Sequence, residues 1–408
     1  MLAIILFLSF ILCIDIYSFF GLKSFFADHL TVFYIVYFAS VILGIIGIVT
    51  MFKMFGTGVL NQTVIQNGII GLAFSIIVAK LFFTSFFLVE DIMRGFLWLF
   101  QSAVHFRLAE FISRSYVWGL ASLIVGLTFM FLLNFGVWFG KYHYKVHHKV
   151  LEFENLPAAF DGFKIAQLSD QHLGTFDRKN KVQQGLDILK NQKADLLVFT
   201  GDMVNNKAEE ALPYIEMFKE LEAPYGKYTI WGNHDYGDYV RWKNDDEKDN
   251  NLAKLEQLEK QMGLEWLNNR NVPLTKDGDT IYLAGVENWG LRPFPQYGKF
   301  EEAIRGLNSD DFIVLLSHDP THWSEVVNKA ETKVELTLSG HTHGMQFGFE
   351  IGKYRWSPVK YKYKNWADFH EFNKRFLYVN RGFGHIGYPG RVGIRPEITV
   401  IELRRKLN

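Results

Sequence analysis

The sequence predicts a membrane protein of two parts, an all-α transmembrane domain of four spanning helices followed by a layered α/β domain. Three observations carry this. Residues 3–22, 32–52, 68–89 and 117–140 are nearly uninterrupted apolar stretches, each about 20 residues long, the length that crosses a hydrocarbon core of ~30 Å. From residue 150 the pattern changes to short β-type runs alternating with helical stretches, which argues for strands and helices in layers. The composition agrees, with 49% hydrophobic and 16% aromatic residues, rich for a protein wholly in water. The boundaries that follow are 1–140 for the transmembrane domain, 141–149 for a basic juxtamembrane linker and 150–408 for the α/β domain.

Taken in order, the first apolar stretch lacks a basic leader and a small-residue cleavage site, so it is read as a retained helix. It contains Cys13, the only cysteine, which excludes a disulfide framework and a thiolate metal site. Asp15 and Lys80 each lie about twelve residues into the first and third stretches, which run in the same direction. At equal depth in hydrocarbon, where a lone charge is costly, the two are expected to pair. Residues 92–115 mix Arg94, Trp98, Phe100, His105, Arg107 and Arg114 with apolar positions, and read either as a helix lying in the interface or as a connecting loop. The segment 141–149 is basic, and contact with lipid head groups accounts for its histidines without any metal. The chain is expected to be multi-pass in the cell (inner) membrane, with the bilayer as its first partner. Four basic residues flank each face, which leaves the side of the C-terminal domain undecided, with a preference for the cytoplasm. Lys and Arg number 43 against 43 Asp and Glu, so no net charge draws the chain to nucleic acid, and none is expected to bind. The oligomeric state is left open.

In the C-terminal domain, Lys179–Asn191, Glu209–Glu222, Leu252–Met262 and Trp323–Lys329 read as helices, and Phe376–Asn380 and Glu397–Leu403 as late strands. Five earlier apolar runs share one property. Asp170 and His172 follow KIAQLS, Asp202 follows DLLVFTG, Asn233 and His234 follow KYTIWG, His318 follows DFIVLLS, and His341 and His343 follow VELTLSG. Strand ends that converge on one crevice can bring such residues around a single point. Glycines in Gly232–Asp235 and Gly340–Gly344 allow those turns to pack closely.

Carboxylate, amide oxygen and imidazole without thiolate form the donor set of manganese, iron, zinc or magnesium. Two such ions about 3.5–4 Å apart activate a water and clamp the oxygens of an in-line displacement at phosphorus. That chemistry needs anionic oxygens to hold the ions, neutral imidazoles, and one protonatable group outside the inner shell. All three are present.

Blocks SDQH, GD, GNHD, the His of LLSHDP, and GHTHG, in this order, resemble the calcineurin-like metallophosphoesterase superfamily over about residues 150–404. The resemblance implies a layered αββα sandwich and two divalent ions. It implies that Asp170, His172 and His343 hold one ion, that Asn233, His318 and His341 hold the other, and that Asp202 bridges both. His234 would be the outer acid, with Asp235 orienting its ring. The tail Tyr378–Gly382 to Arg395–Glu397 is similar to the membrane-associated bacterial branch that includes UDP-diacylglucosamine hydrolases. That branch commonly has a second glycine where this chain has Met345, which puts the local backbone or the pocket edge in question.

Arg381, Arg391 and Arg395 follow the last metal motif, and Arg381 and Arg391 are the candidates for binding substrate phosphate, against the alternative of ordinary ion pairing. Residues 354–364 interleave aromatic and basic side chains and read either as a loop resting on head groups or as a partly buried ordinary loop. The favoured function is a metal-dependent phosphoesterase acting on a phosphoester or pyrophosphate bond in a phosphorylated, lipid-linked substrate. A transport or sensing protein with a regulatory phosphoesterase domain is the alternative, and Asp15 and Lys80 favour it. A catalytically dead scaffold is disfavoured by the complete donor set.

Overall fold

A computed structural model describes residues 2–57, 62–104 and 114–406. The chain divides into two compact units, residues 1–53 with 65–138, and residues 54–64 with 139–408.

The first unit is four helices, α1 (Leu2–Phe25), α2 (Leu30–Thr57), α3 (Val64–Val104) and α4 (Tyr116–Trp138), each with a segment long and apolar enough to cross a membrane. Helices suit hydrocarbon because they satisfy every backbone donor internally. Their contacts use small residues, as packing without a hydrophobic drive requires. Gly21 admits the Phe87 ring, Gly126 the Phe83 ring and Gly71 the Val137 side chain. Lys80 Nζ lies 2.7 Å from Asp15 Oδ1, the pairing expected from their equal depth. The third helix departs from the sequence reading. It continues without a break through residues 92–104, so at 1.5 Å per residue its 41 residues reach about 60 Å, twice the hydrocarbon thickness. Asp91 holds this extension, meeting Arg94 at 2.9 Å and Arg114 at 2.7 Å. His105 and Arg107, part of the same expectation, lie outside the described residues.

The second unit contains two six-stranded sheets. One has the order β1 (Lys145–Phe153), β14 (Glu397–Arg405), β2 (Lys164–Leu168), β3 (Leu196–Thr200), β4 (Lys227–Ile230), β5 (Glu265–Trp266). The other runs β12 (Asp368–Phe372), β13 (Arg375–Val379), β9 (Leu336–Ser339), β8 (Ile313–Leu316), β7 (Asp279–Gly285), β6 (Arg270–Lys276). Within them β2, β3, β4 and β5 are parallel, as are β7, β8, β9 and β13. The layering follows from alternation along buried strands. Ile165, Leu196, Val198, Leu316, Leu336 and Leu338 point between the sheets into one core. Their neighbours Ala166, Leu197 and Phe199 meet the helices α5 (Lys179–Lys190), α6 (Ile215–Lys219) and α7 (Asp245–Gln261) on one outer face. Ala284, Ile313 and Leu315 meet α8 (Phe300–Ala303) and α9 (Pro320–Glu325) on the other. The expected αββα sandwich is the result.

Residues 141–149 are not a free linker. Lys145 to Lys149 begin β1, paired in parallel with β14, and Lys141 is buried with its Nζ 2.7 Å from Asp177 Oδ2. Its partner is remote in sequence, so nothing local in the basic run signals that it folds with the domain.

Candidate metal centre

Five strand ends, three from the first sheet and two from the second, deliver the residues named above to one place. Asp170, His172 and His343 have donor atoms all within 4.8 Å of one another, and so do Asp202, His318 and His341. In the first group His172 Nε2 is 3.0 Å from His343 Nε2, and His343 Nε2 is 3.2 Å from Asp170 Oδ1. In the second, His318 Nε2 is 3.1 Å from Asp202 Oδ2, and His341 Nδ1 is 2.9 Å from Asn233 Oδ1. Asp202 Oδ2 also faces His172 Nε2 at 3.6 Å, so this one oxygen lies beside both groups.

These spacings fit a pair of cations. Donor atoms bonded to one ion at about 2.1 Å, at near right angles, sit about 3 Å apart. Two imidazole Nε2 atoms that face each other can share only one proton between them, whereas a cation accepts the lone pairs of both. The charge points the same way. Burial lowers the His318 imidazole, but the neighbouring Asp202 carboxylate more than offsets it and lifts it to about 10. Burial would raise Asp202, and the imidazoles of His318 and His234 hold it well below the usual carboxylate range.

The backbone is bent to aim these side chains. Asp170, His172, Asp202, His341 and His343 all have positive φ, between 46° and 70°. Each such residue costs about 1–2 kcal/mol, strain that functional sites tolerate when the surroundings fix it. Close glycines complete the geometry. A Cβ on Gly340 would overlap Ser169 Oγ and Asp170 Oδ2, and one on Gly232 would overlap Asp202 Oδ1.

An outer layer of partners orients the donors. His318 Nδ1 donates to Thr200 O at 2.7 Å, turning Nε2 inward. Asn233 Nδ2 donates to the Tyr239 hydroxyl at 2.8 Å, turning its oxygen inward. His341 Nε2 faces Tyr363 Oη at 2.9 Å and Asp319 Oδ2 at 3.4 Å. The sequence reading missed Asp319 and Tyr363; only Asp319's place beside His318 in LLSHDP could have signalled it.

His234 stands outside both groups. Its backbone N–H donates to Asp202 Oδ1 at 2.8 Å, and its ring Nδ1 meets the carbonyl of Asn205 at 2.9 Å. Asp235 does not orient that ring. Its carboxylate accepts backbone N–H groups of Asp202 (2.8 Å), Gly232 (2.9 Å) and Val204 (3.2 Å), tying the β3 and β4 loops together. These hydrogen bonds to the loop amides, invisible in a linear motif, set its role.

The two arginines expected at substrate phosphate are placed elsewhere. Arg381 is 1% exposed, with Glu350 at 2.6 Å, Glu397 at 2.7 Å and Asp368 at 3.6 Å. Arg391, also buried, donates to the carbonyls of Gly384 and Arg381 at 2.7 and 2.8 Å behind His343. Carboxylates and carbonyls occupy both guanidinium groups, so the ion-pairing alternative holds for Arg381. Arg395 donates to the carbonyls of His143 and Tyr144.

Met345 keeps the left-handed backbone (φ 52°) that a glycine would favour, and its exposed side chain lines the edge of the pocket over the site.

Residues 163–345 match the calcineurin-like phosphoesterase family, and residues 1–141 match a domain described as the probable transmembrane domain of calcineurin-like phosphoesterases. The uncharacterized metallophosphoesterase YkuE of Bacillus subtilis (strain 168) is 31% identical over 253 residues, covering 61% of this chain and 82% of its own. The chain belongs to the calcineurin-like metallophosphoesterases. Transmembrane proteins with a metallophosphoesterase domain from Danio rerio (28% identity, 62% of this chain and 55% of that one) and Bos taurus (29%, 61% and 54%) are further relatives. The chain spans little more than half the length of those vertebrate proteins. It is a membrane-anchored metallophosphoesterase, a metal-dependent hydrolase of a family that uses two divalent ions, and two candidate groups to hold them lie at its strand ends.

Proposed function

We propose that this metallophosphoesterase hydrolyses a phosphoester or pyrophosphate bond in a lipid-linked, membrane-associated molecule. In this reading Asp170, His172 and His343 hold one ion, Asn233, His318 and His341 the other, and Asp202 bridges them. One observation carries the choice of substrate. The pocket of about 490 Å³ over the site is lined by Asp202, Asn233 and His234 and also by Phe294, Met345 and Ile386, a lining suited to a phosphate joined to an apolar body.

When bound, the ions supply an activated water and neutralise charge at phosphorus. The residues do the rest. The Asn205 carbonyl accepts the His234 Nδ1–H and burial favours the neutral ring, so Nε2 faces the site as a lone pair that must first take up a proton before it can pass one to the departing oxygen. Asp235 keeps the loops of Asp202 and Asn233 in register, and the apolar residues of the pocket lining exclude water around the leaving group. Location in the inner membrane, with the catalytic unit on the cytoplasmic side, belongs to the same proposal, and protease access in sealed vesicles of known orientation tests it.

The deciding experiment incubates the purified intact chain and manganese with nucleotides, aryl phosphates and lipid-linked pyrophosphates. Preference for the lipid-linked class is expected. Faster turnover of soluble nucleotides would reject the substrate assignment and favour the second reading, a transport or sensing role for the membrane domain, which the Asp15–Lys80 pair supports.

A further inference from the structure

Beyond the metal-site motifs and the basic segment 141–149, the sequence carries a further cationic stretch. Residues 351–364 contain Lys353, Arg355, Lys360, Lys362 and Lys364 and no carboxylate, in a chain whose acids and bases balance at 43 each. The structure makes this stretch the second half of a hairpin, β10 (Phe349–Ile351) paired with β11 (Tyr354–Trp356), followed by a 3-10 turn at Pro358–Tyr361. Arg355 is neutralised by Asp368 at 2.6 Å. The four lysines are exposed, and among the described residues none has a carboxylate within 4.0 Å. Three of them lie instead over aromatic faces, Lys353 over Tyr354 at 5.6 Å, Lys360 over Tyr361 at 5.3 Å and Lys362 over Phe294 at 5.1 Å.

The same surface presents large apolar side chains to solvent. Ile351 is 71% exposed, Tyr354 68% and Tyr361 78%. In water this is an unusual use of apolar area. Unpaired lysines interleaved with exposed tyrosines and aliphatic tips match a different medium, the layer where anionic phosphates meet the first methylenes. The surface is also continuous with the catalytic pocket, because Met345, Tyr361 and Lys362 line that pocket's edge.

We infer that the hairpin Phe349–Trp356 and the turn after it form a face that docks on anionic lipid head groups, so that the pocket it borders opens at the depth of lipid phosphates. This rests on the reading of a membrane-associated substrate and deepens it, since a substrate phosphate in the head-group layer would then reach the site without leaving the bilayer.

The test contains no substrate, so it can fail while the substrate assignment stands, and the reverse. In the intact chain carrying Cys13→Ser, Ile351→Cys is labelled with an environment-sensitive fluorophore and the protein placed in nanodiscs with a head-group-labelled quencher lipid. A second protein carries the label at Asp277→Cys, in the turn between β6 and β7, at the opposite end of the strands from the site. Quenching is expected at 351 and not at 277, only with anionic phospholipid, and weakening with salt. Replacing the four lysines with Gln should lower the docked-to-free ratio by roughly fivefold per lysine, the attraction of one basic side chain near an anionic surface. Absence of quenching at 351, equal quenching at 351 and 277, or quenching that persists in zwitterionic discs or in the four-lysine variant would each overturn the inference.

Discussion

Replacing Arg381 with methionine would remove one guanidinium from among Glu397 (2.7 Å), Glu350 (2.6 Å) and Asp368 (3.6 Å) while keeping most of the side-chain volume. Glu397 is wholly buried and would keep its charge without a cation. Removing one partner from a buried pair costs about 3–5 kcal/mol, a large share of a typical ~5–15 kcal/mol of total stability. For a unit of this size that amounts to a fall in melting temperature of roughly 10 °C. A pH scan checks the origin of the loss. Burial would raise the Glu397 carboxyl, but Arg381, with His147 and the Thr399 and Tyr378 hydroxyls, outweighs it and holds the group down from 4.5 to about 2. A depressed carboxyl gives stability that is present in full above about 4.5 and lost as pH falls toward 2, a contribution of roughly 3 kcal/mol. The gap between the native protein and Arg381→Met should therefore be wide at pH 7 and close as pH falls through that window. Scanning fluorimetry in detergent gives the stability, and turnover of a soluble aryl phosphate gives KM, which should stay within about twofold because the side chain does not reach the pocket. A normal melting temperature with KM raised tenfold would refute the reasoning and return Arg381 to the substrate.

Elemental analysis should find two divalent ions per chain, with Asp202→Ala losing both and His172→Ala weakening one, because only Asp202 faces both groups; saturation at one ion would contradict this. His234→Gln should lower kcat about 100-fold with metal content retained, the scale for losing a positioned acid, and metal loss in step with activity would place His234 among the ligands instead. Asp15→Asn or Lys80→Met alone should destabilise the solubilised protein more than the two together, since each leaves an unpaired charge; additive losses would show that the pair contributes nothing.

What the sequence displayed and what it hid divide along a physical line. The candidate ligands were legible because each follows a short apolar run of strand length, and because glycines mark turns too tight for a Cβ. Asp15 and Lys80 were legible because helical rise converts position into depth. The fates of Arg381 and Arg391 were not, since an arginine's exposure depends on carboxylates and carbonyls that the fold brings from elsewhere. The Asn205 carbonyl that holds His234 left no trace either, because a backbone acceptor carries no residue signature. Beyond residue 92 the third helix ran on because its charges found Asp91 and Arg114 as partners, and composition alone could not distinguish that from a loop.

In the first sheet β14 lies between β1 and β2, so the strand that directly follows the membrane segment finds its partner about 250 residues later. During synthesis β1 must wait, already close to the bilayer, with an unpaired edge, while nearly the whole catalytic unit is made. Contacts this distant in sequence form late and slowly. A chain interrupted before residue 397 would carry every candidate metal ligand and still present two open strand edges, a species for proteases and chaperones rather than a weak enzyme. Completion of the sheet thus acts as a checkpoint that only the finished catalytic unit passes.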